Sequence, residues 1–272
     1  MKYYLYFLFS ILYFIYLSIN LLPFGKKANS LTLNRIFKRK VVIKDQNHEY
    51  KFHIPNWLTY YRAKSIFDKE PETIKWLSQI PKNSVLWDIG ANIGIFTIYA
   101  SKNGVNVVSV EPSFTNLEIL HRNIILNKMN KTVSVIPFGL GSRTSLQTYF
   151  LSLSNLTWGG AHNSVGANIG FDGKPLVNPV EVKGIVYSID DLLKLENLKK
   201  PSYLKIDVDG LELDVLKGAV NTLPNVKSIL IEVDRDFLQQ KEGVESLLKL
   251  NGFKLTSETL DTHGTSNQIW EK

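Results

Sequence analysis

The sequence predicts an α/β protein, and three observations carry that prediction. The run from Ser84 to Pro112 reads as strand, glycine turn, helix, strand. Two further apolar runs, Tyr203–Ile206 and Ile229–Val233, have acidic residues at their tips, Asp207 and Glu232. Segments of helical spacing, such as Asn116 to Met129 and Glu212 to Val220, alternate with these strands. Short apolar strands of this kind are buried on both faces of a parallel sheet, and the intervening helices cover it.

Taken in order, the chain opens on Tyr3 to Phe24, a charge-free stretch rich in Leu, Ile, Phe and Tyr. About 20 apolar residues cross a bilayer core of about 30 Å. Residues 1–25 are therefore expected to be a membrane anchor, with a cleaved signal or a buried helix as alternatives. Lys26, Lys27, Arg35, Lys38, Arg39 and Lys40 follow, a basic linker over 26–40, and only Lys2 precedes the span. By the positive-inside rule that asymmetry places the rest of the chain in the cytoplasm. The same residues could rest on anionic headgroups or be an ordinary charged linker.

Residues 41–83 are expected to form an extension of a hairpin and helices. Val41–Ile43 and Tyr50–Ile54 are strand-like, with a turn at Asp45-Gln46-Asn47. Thr59 to Ile80 is amphipathic, broken at Glu70-Pro71, with Ile66, Trp76, Leu77 and Ile80 inward. Residues 84–272 form the main domain. Within it, Val85–Ile89, Val105–Val110 and Val133–Ile136 are the first three strands, and Leu117, Leu120 and Ile124 make an apolar helix stripe. Leu146–Leu153 and Val180–Val186 read as a strand pair around a glycine-rich loop, TWGGAHNSVGANIGFDGKP. A long loop inside a domain is usually a binding loop or disordered. Phe237 to Leu250 is a helix with Leu238, Val244, Leu247 and Leu248 facing in, and the chain closes on an antiparallel pair.

Composition narrows the class. The chain has 272 residues, 44% hydrophobic, enough for one domain with a real core plus extras. Its net charge of +7 is partly gathered near the amino terminus, so it does not argue for nucleic-acid binding. There is no cysteine, which excludes disulfides and thiolate metal sites.

The chemistry lies at the strand tips. Asp88, Gly90, Asn92 and Gly94 follow the first core strand with the spacing D-x-G-x-N-x-G. Glycines there let a ligand approach the backbone, and the helix that starts there offers unpaired N–H groups. Glu111, at the tip of the next strand, suits a ribose diol. The tighter glycine triplet of dinucleotide folds is missing, and Asp88 would repel a pyrophosphate. A cationic nucleoside fits better: S-adenosyl-L-methionine carries a sulfonium, an ammonium and no phosphate. Asp207 and Asp209 point at the same place from one turn and could orient an acceptor or take its proton. With Glu232 they could instead bind a divalent metal, the less favoured reading. His162 in the loop could serve as general base or be an exposed side chain. No Asp or Glu lies between Met129 and Phe171 to hold an adenine amine, which leaves a backbone contact or Ser142. Phe138 could stack on adenine or belong to the core.

These residues resemble the FkbM-type family of S-adenosylmethionine-dependent methyltransferases. The likeness rests on DIGANIG at Asp88–Gly94, VEP at Val110–Pro112 and the helix ending Asn123-Ile-Ile-Leu-Asn127. It continues through LKIDVDGLELDVLKG at Leu204–Gly218 and ILIEVD at Ile229–Asp234, and spans roughly Phe52 to Trp270. Where this chain has Asp209, the family more often has Glu. The resemblance implies a class I, Rossmann-like, seven-stranded methyltransferase sheet behind the anchor. It also implies O-methylation of a sugar, glycan or secondary metabolite, with a small-molecule or glycan acceptor and no nucleic acid. A nucleotide-sugar or NAD-dependent enzyme on a similar sheet, and a non-catalytic membrane-tethered domain, are the rival readings.

Overall fold

The computed structural model describes residues 39–152, 156–161, 163–170, 172–195, 198–260 and 264–272. The expected anchor over residues 1–25 lies outside them. Among the described residues, no helix is long and apolar enough to cross a membrane.

Lys40–Lys44 (β1) and Glu49–His53 (β2) pair antiparallel. Asp45 makes their turn by accepting from the N–H groups of Asn47 and His48. Alternation along β2 sends Tyr50 and Phe52 fully into the core. Trp57–Lys64 (α1) starts on a capping box between Asn56 and Thr59, and Pro71–Gln79 (α2) starts on proline. Ile66, Trp76, Leu77 and Ile80 are buried, as their spacing requires.

The central layer is a seven-stranded sheet built from Val85–Ile89 (β3), Asn106–Val110 (β4), Val133–Ile136 (β5), Tyr203–Ile206 (β10), Ser228–Asp234 (β11), Lys254–Leu260 (β12) and Thr265–Glu271 (β13). Their order is β12-β13-β11-β10-β3-β4-β5. Strands β3, β4, β5, β10 and β11 run parallel, β13 runs antiparallel to β11, and β12 antiparallel to β13. Helices Ile95–Lys102 (α3) and Phe114–Leu126 (α4) pack one face together with the hairpin. Helices Ile189–Leu192 (α5), Glu212–Lys217 (α6) and Leu238–Leu250 (α7) cover the other.

From β3 the chain steps outward through β4 to β5, then returns to the far side of β3 at β10 and steps the other way to β11. That reversal leaves a crevice at the carboxyl ends of β3 and β10, where open α/β sheets bind ligands. The insertion between β5 and β10 forms a second sheet from Gly139–Leu140 (β6), Ser145–Leu151 (β7), Ser164–Val165 (β8) and Val180–Tyr187 (β9), ordered β6-β9-β7-β8. The expected pairing of its two long strands is present as β7 and β9, antiparallel.

Three sequence readings need correction. Leu238 is 61% exposed, because it opens α7 on the outer side of its first turn. Phe138 is 37% exposed and leans on Tyr187 at 5.3 Å, so it is not a core aromatic. The helix expected over Glu212 to Val220 ends at Lys217. At Gly218 the backbone of Gly141 comes so close that a Cβ would sit 2.1 Å from its carbonyl oxygen.

Candidate active site

A cleft of about 620 Å³ opens at the carboxyl ends of β3, β4, β10 and β11. Gly90, Asn92 and Glu111 line one part of it, and Asp207, Asp209, Lys205 and Glu232 the other. The two parts meet because β3 and β10 are neighbours. Gly90 adopts φ +82°, and a Cβ on it would lie 1.7 Å from the carbonyl oxygen of Asp207. Only glycine lets the two turns approach so closely. Asn92 (φ 51°) and Asp209 (φ 54°) hold left-handed backbone in those same turns, which side chains of their kind tolerate best.

Glu111 is turned into the protein. Its carboxylate accepts from the N–H of Asn92 (2.8 Å) and of Ser113 (2.8 Å). Burial pushes its pKa up to about 7 against those hydrogen bonds. Asp88 and Gly94 do not line the cleft, unlike the other members of their motif. Asp88 is 1% exposed, and its Oδ2 accepts from the Thr97 hydroxyl at 2.6 Å, which ties β3 to α3. Its Oδ1 has no hydrogen-bond partner and lies 4.0 Å from Lys205 Nζ. Gly94 sits in left-handed backbone at the start of α3, against Leu120. The physical reason is alternation: the strand that brings its end to the cleft sends Asp88 sideways into the packing layer.

Lys205 faces a polar pocket within the sheet's face. It is 1% exposed, 2.9 Å from Asp207 Oδ2, and its ammonium stands 5.1 Å from the centre of the Phe96 ring. Burial works against its charge, but Asp207 and Asp88 more than offset this and raise its pKa. Burial likewise pushes Asp207 up, yet Lys205 and the hydrogen bonds it shares with Glu232 and Lys205 hold it well below the usual range. Glu232 goes the other way: burial and then the charge of Asp207 raise it well above. Among the described residues, no group of three or more His, Asp or Glu side chains is arranged around a metal position.

The loop residues Thr157 to Gly160 are fastened beside the part of the cleft lined by Asn92 and Glu111. Asn92 and Asn116 donate to the Gly160 carbonyl at 2.9 and 3.0 Å, and Gly159 N–H donates to Asn116 Oδ1 at 2.9 Å. Arg62 Nε donates to the Gly159 carbonyl at 2.7 Å, and Asn56 Nδ2 to that of Trp158 at 2.9 Å. The Trp158 indole donates to Glu118 Oε2 at 3.0 Å, on the outer side of α4. His162 lies outside the described residues. Ser142 is not part of the cleft lining, and Gly139 and Leu140 border it where adenine recognition was expected.

Sequence reading missed this clamp. Asn56, Arg62 and Asn116 carry no motif signal, although the pairing of a glycine loop with amide-rich helix starts offered a hint. It also gave Glu232 only a minor place, although its position on the strand beside β10 was legible.

A left-handed glycine turn, an acid at the next strand tip and an acid-lined cleft suit a cationic nucleoside better than a pyrophosphate. Together with the Rossmann-like sheet they define a methyltransferase of the S-adenosylmethionine-dependent class. The model of the methyltransferase FkbM domain matches residues 88–255, and the chain belongs to that family. It is 28% identical over 157 residues to the hexuronic acid methyltransferase AglP of Haloferax volcanii, covering 58% of this chain and 59% of that protein. It is 28% identical over 208 residues to methyltransferase sdnD of Sordaria araneosa, covering 67% and 78%. A solved structure of M. capricolum TrmK with S-adenosyl-homocysteine aligns at a TM-score of 0.42 and 11% identity, covering 73% of this chain and 67% of that one.

Proposed function

We propose that the protein transfers the methyl group of S-adenosyl-L-methionine to a hydroxyl of a sugar, glycan or secondary metabolite. The observation that carries this reading is the Lys205–Asp207 pair at the edge of the cleft, next to the glycine turn. Bound S-adenosylmethionine supplies an electrophilic methyl on a sulfonium. The protein's own task is then to align the acceptor and take one proton. Gly90 and Asn92 hold the cofactor's body, and Glu111 exchanges its hydrogen bonds to Asn92 and Ser113 for the ribose hydroxyls. Asp207 and Asp209 face the acceptor, with Asp207 as the first proton acceptor. Asp88 and Gly94 act from behind, by fixing the turn and the helix that follows it.

Relatives support the acceptor class. AglP is a hexuronic acid methyltransferase, and this chain spans 59% of its length. The charge-free segment from Tyr3 to Phe24 and the basic residues after it favour a membrane-anchored chain with its domain in the cytoplasm. A lipid-linked glycan is an acceptor of that location.

The test is methyl transfer from label-carrying S-adenosylmethionine to a panel of hexoses, hexuronic acids and lipid-linked glycans, with the full-length chain. The expected product is a methyl ether, stable to mild base. A base-labile methyl ester would move the reaction to a carboxylate, and folded protein that labels no acceptor in the panel would refute the acceptor class.

A further inference from the structure

The carboxyl groups of Asp207 and Glu232 are neighbours by strand register. Ile206 pairs with Ile231 in the parallel ladder of β10 and β11, so the next step sets residue 207 beside residue 232 on the same face. Both line the cleft, so the two acidic side chains stand side by side at the ends of neighbouring strands. Two carboxyl groups set side by side in a cleft repel each other when both are ionised, and one shared proton removes that repulsion.

The surroundings fix how the proton is shared. Lys205 approaches Asp207 from the same strand at 2.9 Å and favours its ionised form. Asp88 on β3 faces Lys205 from behind. Thr265 on β13 donates to Glu232 Oε1 at 2.8 Å. Lys69 and Glu70, before α2, line the same cleft and are paired with each other at 3.1 Å. Asp209 lies two residues beyond Asp207 and adds negative charge. One proton held between Asp207 and Glu232 keeps this carboxylate-rich cluster from carrying a further buried charge.

We infer that Asp207 and Glu232 work as one proton-holding pair, which releases its proton when the cationic methyl donor binds and recovers a proton from the acceptor as the methyl is transferred. The inference rests on the methyltransferase reading of this cleft. The step balances. The acceptor's O–H bond breaks and its proton goes to the pair. An O–C bond forms, the C–S bond breaks, and the bonding electrons stay on sulfur. The positive charge lost from sulfur matches the negative charge lost from the pair, so the site's total charge is the same before and after. Lys205 is a positioning residue in this scheme, acting through Asp207.

The pair makes the two cofactor forms distinguishable without any acceptor. S-adenosylmethionine has the sulfonium and S-adenosylhomocysteine does not, while both place the same ribose at Glu111. Titration calorimetry of each ligand into the full-length chain, in two buffers of different ionisation enthalpy at about pH 6.5, counts protons released. At that pH both ligands' amino groups stay protonated, since a free α-amino group titrates near 8. The expected result is about one proton more released with S-adenosylmethionine than with S-adenosylhomocysteine. In Glu232→Gln and in Asp207→Asn that difference vanishes while both ligands still bind. Equal proton release in the wild type, with both ligands bound, overturns the inference and leaves the methyltransferase reading standing. A difference that persists in both variants also overturns it, by placing the proton elsewhere. A folded chain that binds neither ligand refutes the methyltransferase reading and the inference together.

Discussion

Two residues decide the site's geometry. Gly90 is one, because the Asp207 carbonyl occupies the space a side chain would need. Gly90→Ala must force left-handed backbone on alanine, about 1–2 kcal/mol, and also part β3 from β10. Thermal unfolding should show a loss of about 2 kcal/mol or more, together with loss of S-adenosylmethionine binding. Glu111 is the other. Its pKa is pushed up to about 7 by burial, so it is half-protonated near neutrality. The carboxylate accepts more hydrogen bonds than the acid, so cofactor affinity should fall as pH drops below about 7. A pH series of binding constants checks this, and Glu111→Gln should flatten it. Both residues were legible in the sequence from glycine spacing and from an acid at a strand tip. Asp88 was legible as a motif member but not in its placement, because strand alternation and the Thr97 hydroxyl turn it inward.

At the scale of elements, polar side chains fasten the irregular parts to the regular ones. Asn123 on α4 and Asn127 at its C-terminal cap, four apart, hold β2: His53 N–H donates to Asn123 Oδ1 at 2.7 Å, and Lys51 N–H to Asn127 Oδ1 at 3.1 Å. Their shared helix face was readable, but not that a hairpin 70 and more residues earlier would use it. Asn116 fastens the Thr157–Gly160 loop in the same way. Asn116→Ala leaves the Gly159 N–H and Gly160 carbonyl short of a partner, and should cost about 1–3 kcal/mol. Limited proteolysis should then cut faster near residue 160. Glu212 plays this part for the turn after β10, accepting from the N–H groups of Val208 and Gly210 at 3.0 and 3.2 Å, and from Gln240. Burial pushes its pKa up to about 7 from 4.5, so the folded state holds more protons than the unfolded one between those values. Its contribution to stability therefore falls as pH rises from about 4.5 to about 7, by roughly 3 kcal/mol. Denaturant titrations of Glu212→Gln should lose that part of the slope.

For the whole molecule, the strand order gives the cleft its place. The reversal between β3 and β10 puts the glycine turn and the Asp207 turn side by side. Parallel strands and their alternating helices follow from apolar runs and periodicity, so the central sheet was readable almost strand by strand. The second sheet was not, because its register is set by contacts across a long insertion, and only the β7–β9 pairing had a local signal. The proposed anchor also belongs to this scale. The full-length chain should sediment with membranes and a chain beginning at Lys26 should not, which fractionation decides. The central claim is that this cleft binds S-adenosylmethionine through Glu111 and the glycine turn. Its most direct test is calorimetric binding of S-adenosylmethionine to the full-length wild type and to Glu111→Ala. The account predicts micromolar binding, about −8 kcal/mol, weakened at least tenfold in the variant. No binding by folded wild type, or equal affinity in the two proteins, would contradict it.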